Sequence, residues 1–314
     1  MGTFIKTWID RLAHLVSKEP HLQTARLLRW SVIGWNLFNI ALMSPYSQEF
    51  YGLGAYTVQR PFAPSQWHDW ILEFLRHEAI RPYYYLIQGI QVLALLGALA
   101  AFLPRVMILI AFICAENLQA ITQGTLDGGD NIMSLLLIYL LFINTTGNPI
   151  SIKWEPLREL FTGLSNVAFL LARIQIAVVY AASGLYKTQG DLWQSGMAIY
   201  YILQGDYSHP LLRELVVAYP MIPMLATYAT LLFQLAFPFC VWLRSTRLWI
   251  LIIGVFFHIG IAFGMGLVEF GIAMCCTYTA FFFESWSVSI GQRVDHALAR
   301  LPFCSNQATK SDSL

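Results

Sequence analysis

Long apolar blocks, repeated along most of its length, constrain this chain more than any motif does. About 20 helical residues, rising 1.5 Å each, cross the ~30 Å hydrocarbon core of a bilayer. Inside that core only helices or closed barrels satisfy their own backbone polar groups. Such blocks fall at 25–44, 83–103, 106–120, 131–144, 167–186, 221–242, 248–264 and 267–283, the fourth being short. Their length selects helices, because a barrel strand needs only about 10 residues. Charged residues make up 12% of the chain, about half the share of a soluble domain. The expected fold is all-α: a polytopic helical integral membrane protein with about eight transmembrane helices. Only Gly264-Met265-Gly266 separates the last two blocks, so seven spans plus a re-entrant hairpin also fit.

Basic residues set the orientation, since cytoplasmic loops carry the excess of Lys and Arg. With eight spans, thirteen fall on one side and five on the other, with Arg173 inside a span. Both termini are then expected in the cytoplasm, and Lys187 on the opposite side. Residues 1–22 place Phe4, Ile5, Trp8, Ile9, Leu12, Leu15 and Val16 at helical spacing among charged groups. That pattern predicts an amphipathic helix on the membrane surface, without the apolar run and cleavage site of a secretory leader. Residues 23–285 form the transmembrane domain, and 286–314 a cytoplasmic tail that is partly disordered, polar after Pro302. A formal net charge of +1 offers no surface for nucleic acid. The five cysteines show neither outer-loop pairing nor metal-ligand spacing, so no metal is expected.

Polar groups are costly inside a bilayer, so those within the spans are the candidates for chemistry. Arg173, Tyr180 and Lys187 lie seven apart and share one helix face, with Gln175 adding an amide. Asp127-Gly128-Gly129-Asp130-Asn131 opens the fourth span, His258 lies about six residues inside the seventh, and Glu116, Asn117, Gln119 and Glu269 reach the same level. These groups pool into one layer at the outer end. Two aromatic outer segments, 45–81 with Trp67, Trp70 and Phe74, and 187–220 with Trp193, Tyr200, Tyr201 and Tyr207, would roof it. Each group also has a structural role open to it. Lysines at helix ends reach for the interface, aspartates before a helix cap it, and a buried histidine can be an ordinary core group. Arg173 can pair with Glu116 or Asp130.

A resemblance adds to this reading. The string Gln175-Ile-Ala-Val-Val-Tyr180-Ala-Ala-Ser-Gly184-Leu-Tyr-Lys187, then Trp193 and Gly196, resembles the HTTM family signature. Further matching pieces follow the same order: Asp127 to Asn131, Phe237-Pro238-Phe239, Phe257-His258 and Phe270-Gly271-Ile-Ala-Met274. This family of horizontally transferred transmembrane proteins is related to vitamin K-dependent gamma-glutamyl carboxylase, and the short form here resembles the bacterial subgroup that includes sporulation-delaying protein B. The resemblance implies a bacterial cytoplasmic-membrane protein in which Lys187 deprotonates a reduced quinone. Oxygen then generates a strong base that removes a glutamate γ-proton, and carbon dioxide adds. Lys187, His258 and Asp130 are the catalytic candidates; Gln175, Tyr180, Tyr186, Trp193 and Asn131 are the candidates for holding the quinone. The role requires a neutral amine, which apolar surroundings favour.

Two departures qualify the transfer. Tyr186 stands where the carboxylases have a second lysine, and Asp130 and Asn131 lie near the place of a functional histidine. The carboxylases also continue into a large extracytoplasmic domain not found in these 314 residues, so an accessory protein is expected to supply peptide recognition. Three functions fit: an enzyme modifying an exported peptide, a non-catalytic membrane partner in toxin maturation, export or immunity, and a small-molecule transporter.

Overall fold

Helices form at every one of the eight apolar blocks. In the computed structural model, residues 21–52, 81–122, 126–147 and 154–299 are described. The expected surface helix, most of the aromatic segment 45–81 with Trp67, Trp70 and Phe74, and the tail after Pro302 lie outside the described residues. The elements are α1 (Leu22–Met43), α2 (Ser47–Tyr51), α3 (Tyr84–Leu99), α4 (Pro104–Ile121), α5 (Gly128–Phe142), α6 (Glu155–Lys187), α7 (Asp191–Gln194), α8 (Ala198–Leu203), α9 (Pro210–Ala218), α10 (Met221–Cys240), α11 (Arg247–Met265), α12 (Val268–Thr277) and α13 (Glu284–Ala299). A 3-10 turn, Tyr278–Phe281, extends α12. There is no strand among the described residues.

Four helices, α4, α6, α10 and α11, are long and apolar enough to cross a membrane; α3, α5 and Val268–Phe281 are shorter apolar helices. Helix α1 has the length but carries Arg26 and Arg29. The outward faces match a lipid solvent. On α10, Leu232 and Phe239 are 72% and 73% exposed, whereas Thr227, Thr230, Gln234 and Phe237 are buried on the opposite face. A water-soluble protein rarely leaves so much contiguous apolar surface uncovered. The fold is thus an all-helical, multi-pass membrane bundle.

Helix α1 packs against α3, α5, α12 and α13. Its first turn leaves backbone N–H groups without helical partners, and His21 at the N-cap supplies no side-chain acceptor. Glu284, at the start of α13, supplies one instead. Its carboxylate accepts from Gln23 N at 2.8 Å, Thr24 N at 3.2 Å and Thr24 Oγ1 at 2.6 Å. A carboxylate at this end also complements the helix dipole. Hydrogen bonds to a charged group contribute about 1.5–3 kcal/mol each and are not additive. Glu284→Ala is therefore expected to destabilise the protein by about 2–4 kcal/mol and Glu284→Gln by less, as read by thermal melting in detergent.

Helices α11 and α12 form the hairpin that the Gly264–Gly266 break predicts. Helix α11 ends at Gly266, whose φ of +70° is left-handed and strained for any residue with a Cβ. The return helix then packs tightly, because a Cβ on Gly271 would lie 2.9 Å from the His258 carbonyl oxygen. On its other side α12 meets α5, where a Cβ on Gly129 would lie 2.9 Å from the Ala273 Cβ. Helix α12 is thereby wedged between the element that carries His258 and the element that carries Asp130.

Candidate functional site

The C-terminal end of α6 builds the site. Ser183 stands one turn before Lys187, so both project from one face, and Lys187 Nζ donates to Ser183 Oγ at 2.7 Å. The ammonium position lies 5.3 Å from the centroid of the Trp193 ring, which the tight turn at Gly190 presents from α7. Among the described residues no carboxylate pairs with Lys187. Two turns earlier, the buried Tyr180 hydroxyl lies 2.7 Å from His258 Nε2 and 2.7 Å from the Tyr278 hydroxyl. Phe237 stacks on the Tyr180 ring at 3.9 Å and Phe233 meets it edge-on at 5.6 Å. His258 is 1% exposed, and its Nδ1 has no hydrogen-bond partner among the described residues.

These groups border a cavity of about 220 Å³ lined by Lys187, Ser183, Tyr180, His258, Gln234 and Thr230. Its remaining walls are apolar, including Phe257, Phe270 and Met274, with Trp193, Ile199 and Ile202 closing the α7–α8 side. That closing segment is tied to α10: Ile199 N donates to Thr227 Oγ1 at 3.1 Å, and the Tyr228 hydroxyl donates to the Gln194 carbonyl at 2.9 Å.

The carboxylates occupy a different space. A second cavity of about 240 Å³ is bounded by α1, α2, α3, α4, α5 and α12, and Asp130, Glu269, Gln88, Gln91 and Gln119 line it. Asp127 and Asp130 form the expected cap. Asp127 Oδ1 accepts from Gly129 N at 2.6 Å and from Asp130 N at 3.2 Å, and Asp130 Oδ2 accepts from Asp127 N at 3.0 Å. Burial, and then the Asp130 and Glu269 carboxylates, push the Tyr51 phenol up to about 12, so both negative charges act on the same space.

The single polar layer expected from the sequence is therefore divided. Phe270 lines the Lys187 cavity while its neighbour Glu269 lines the other, which makes α12 the partition. Of the expected site residues, Lys187, His258, Tyr180 and Trp193 come together, whereas Asp130 lies across the wall. Gln175 is half-buried, Tyr186 is 80% exposed and Asn131 is exposed; none of the three lines either cavity. Helical geometry gives the reason. At about 100° per residue, Gln175 points roughly 140° away from Tyr180, and Tyr186 about 100° away from Lys187. Arg173 joins neither Glu116 nor Asp130; its guanidinium lies 4.9 Å from the Trp242 ring centroid and 5.2 Å from that of Phe281. Ser183, Gln234 and Tyr278 were not singled out from sequence. Spacing of four from Lys187 exposes Ser183, but nothing local to Tyr278 announces a partner 98 residues away.

The comparisons with known proteins bear on one of these two cavities. The model of the HTTM domain family matches residues 133–286, so the resemblance to that family holds over this stretch. The chain is also similar to the uncharacterized protein YitO of Bacillus subtilis (strain 168), with 29% identity over 184 residues. That alignment covers 54% of this chain and 58% of the relative, so the chain spans under two thirds of that protein's length. No solved structure matches. Among the described residues, all those lining the Lys187 cavity fall within the HTTM stretch, whereas of those lining the second cavity only Glu269 does.

Proposed function

We propose that this protein is a bacterial cytoplasmic-membrane enzyme that modifies an exported peptide, with the Lys187 cavity as its active site on the extracytoplasmic side. The proposal takes the bundle to have about eight spans with both termini in the cytoplasm. One observation carries it: a lysine amine bound to a hydroxyl and a ring face, with no carboxylate partner among the described residues, stands in an apolar-walled cavity lined also by His258. An anchor would lie in the headgroup region, where its charge is solvated. A base needs a protected amine within reach of a bound acid.

The cavity fits the ring of a reduced quinone. At about 220 Å³ it lies below the ~300–1,000 Å³ typical of sites for drug-sized molecules, enough for a flat head group whose tail would remain in lipid. Trp193, Phe257 and Phe270 offer ring faces, and His258 Nδ1 is a buried polar atom with no partner among the described residues. A bound reduced quinone would supply, together with oxygen, the strong base that carboxylation of a glutamate γ-carbon by carbon dioxide requires. Lys187 Nζ would hold the proton taken from the ring hydroxyl, and Ser183 Oγ would fix the amine's direction. Tyr180 would hold His258 in place through Nε2, and the α7–α8 segment would exclude water. Peptide recognition is assigned to an accessory protein.

A second reading treats the chain as a non-catalytic membrane partner in peptide toxin maturation, export or immunity. It is favoured by the His258–Tyr180–Tyr278 hydrogen bonds, which suit a core histidine. Mass spectrometry of the exported peptide, produced with and without this protein, separates the two. The enzyme reading expects a mass gain of one carbon dioxide per modified glutamate only when the protein is present. Identical peptide masses in both cultures overturn it.

A further inference from the structure

The second cavity is built for a positive charge. Asp130 and Glu269 line it, and none of the described residues that line it is Lys, Arg or His. Gln91 also lines it and is 4% exposed, yet its Oε1 has no hydrogen-bond partner among the described residues. A buried amide oxygen without a partner loses the bond it makes to water in the unfolded chain, at a cost of about 1–3 kcal/mol. Two neighbouring amide oxygens are engaged: Ser47 Oγ donates to Gln88 Oε1 and Ser134 Oγ to Gln119 Oε1, each at 3.3 Å. Gln91 thus brings an unpartnered acceptor to the wall of the space that Asp130 and Glu269 also line. Glu269 is held there from its backbone, since its carbonyl accepts from Trp35 Nε1 at 3.1 Å.

We propose that this cavity binds an alkylammonium group, R–NH3+, through Asp130, Glu269 and Gln91 Oε1, with Trp35, Phe50 and Tyr51 as its aromatic walls. An ammonium brings three N–H donors and no acceptor, which complements two carboxylates and one unpartnered amide oxygen. Aromatic faces attract such a cation when it is desolvated. The elevated Tyr51 phenol is consistent with the negative field in this space. The proposal is independent of the chemistry at Lys187, from which α12 separates it.

Thermal melting of the purified full-length protein in detergent tests it, with ethylammonium, sodium and tetramethylammonium chlorides compared at equal ionic strength. Ethylammonium is expected to raise the melting temperature saturably, and tetramethylammonium, which has no N–H donor, to leave it unchanged. Glu269→Gln and Gln91→Leu should each weaken the ethylammonium effect at least tenfold while the proteins still melt cooperatively. Glu269→Gln leaves the Asp127–Asp130 cap untouched, so its loss of response is not a loss of fold. An equal shift with sodium would reassign the cavity to inorganic cations and overturn the proposal. So would an equal shift with tetramethylammonium, no shift with ethylammonium, or a response kept in both variants.

Discussion

Lys187→Arg is expected to lower the rate of peptide modification about 10²–10⁴-fold, the range in which general acid–base catalysis contributes, while the protein inserts and melts as the parent does. Arginine keeps the positive charge and the reach of lysine but does not release its proton in proteins. A lysine that only anchors α6 at the interface is replaceable by arginine, and one that accepts a proton is not. Lys187→Ala should show the same loss, since it removes the amine altogether. Ser183→Ala is the graded companion. It removes the hydroxyl 2.7 Å from Nζ but leaves the amine, so a partial loss identifies Ser183 as a positioning residue. The measurement is the fraction of modified peptide over time, with membrane level and melting temperature determined for each variant. Full activity of Lys187→Arg would falsify the base role and return Lys187 to the anchor reading.

How far the sequence reveals this site depends on whether the signal lies within one helix. Apolar block length locates the apolar helices among the described residues, four of them long enough to cross a membrane, and spacing along α6 puts Tyr180, Ser183 and Lys187 on one face. The Asp127–Asp130 cap is equally local, since all its hydrogen bonds span three residues or fewer. What the pattern does not contain is the order in which helices sit side by side. Reading depth alone, Lys187, His258, Asp130 and Glu269 stand at one level and appear to share one site. Packing decides otherwise, because Gly129 and Gly271 admit α12 between α5 and α11. Two glycines, Gly129 on α5 and Gly271 on α12, thus separate an amine from two carboxylates. Tyr278 is lost for a related reason: it enters from the turn after α12, and the phenol it meets lies on α6.

The hydrogen bonds around Tyr180 give the second large effect, this time on stability. Tyr180→Phe is expected to destabilise the protein by about 2–5 kcal/mol, and Tyr278→Phe by about 1–2 kcal/mol. Tyr180 stands between two partners, so removing its hydroxyl leaves both His258 Nε2 and the Tyr278 hydroxyl without their bonds to it. Each buried group stranded in this way costs about 1–3 kcal/mol. Removing the Tyr278 hydroxyl leaves Tyr180 still bonded to His258. Phenylalanine preserves the stacking on Phe237, so neither variant loses its aromatic packing. The double variant should cost less than the sum of the two singles, because the bond between the two hydroxyls is lost only once; such coupling between contacting residues is what a double-mutant cycle measures. Thermal melting in one detergent, with all three variants beside the parent, provides the check. If Tyr278→Phe proves the more damaging, Tyr180 is not the centre of the network. A contrast with Lys187→Arg also follows. That variant should lose modification at parental stability, whereas Tyr180→Phe should lose stability first, because Tyr180 holds the wall and the proposed proton transfer rests on Lys187.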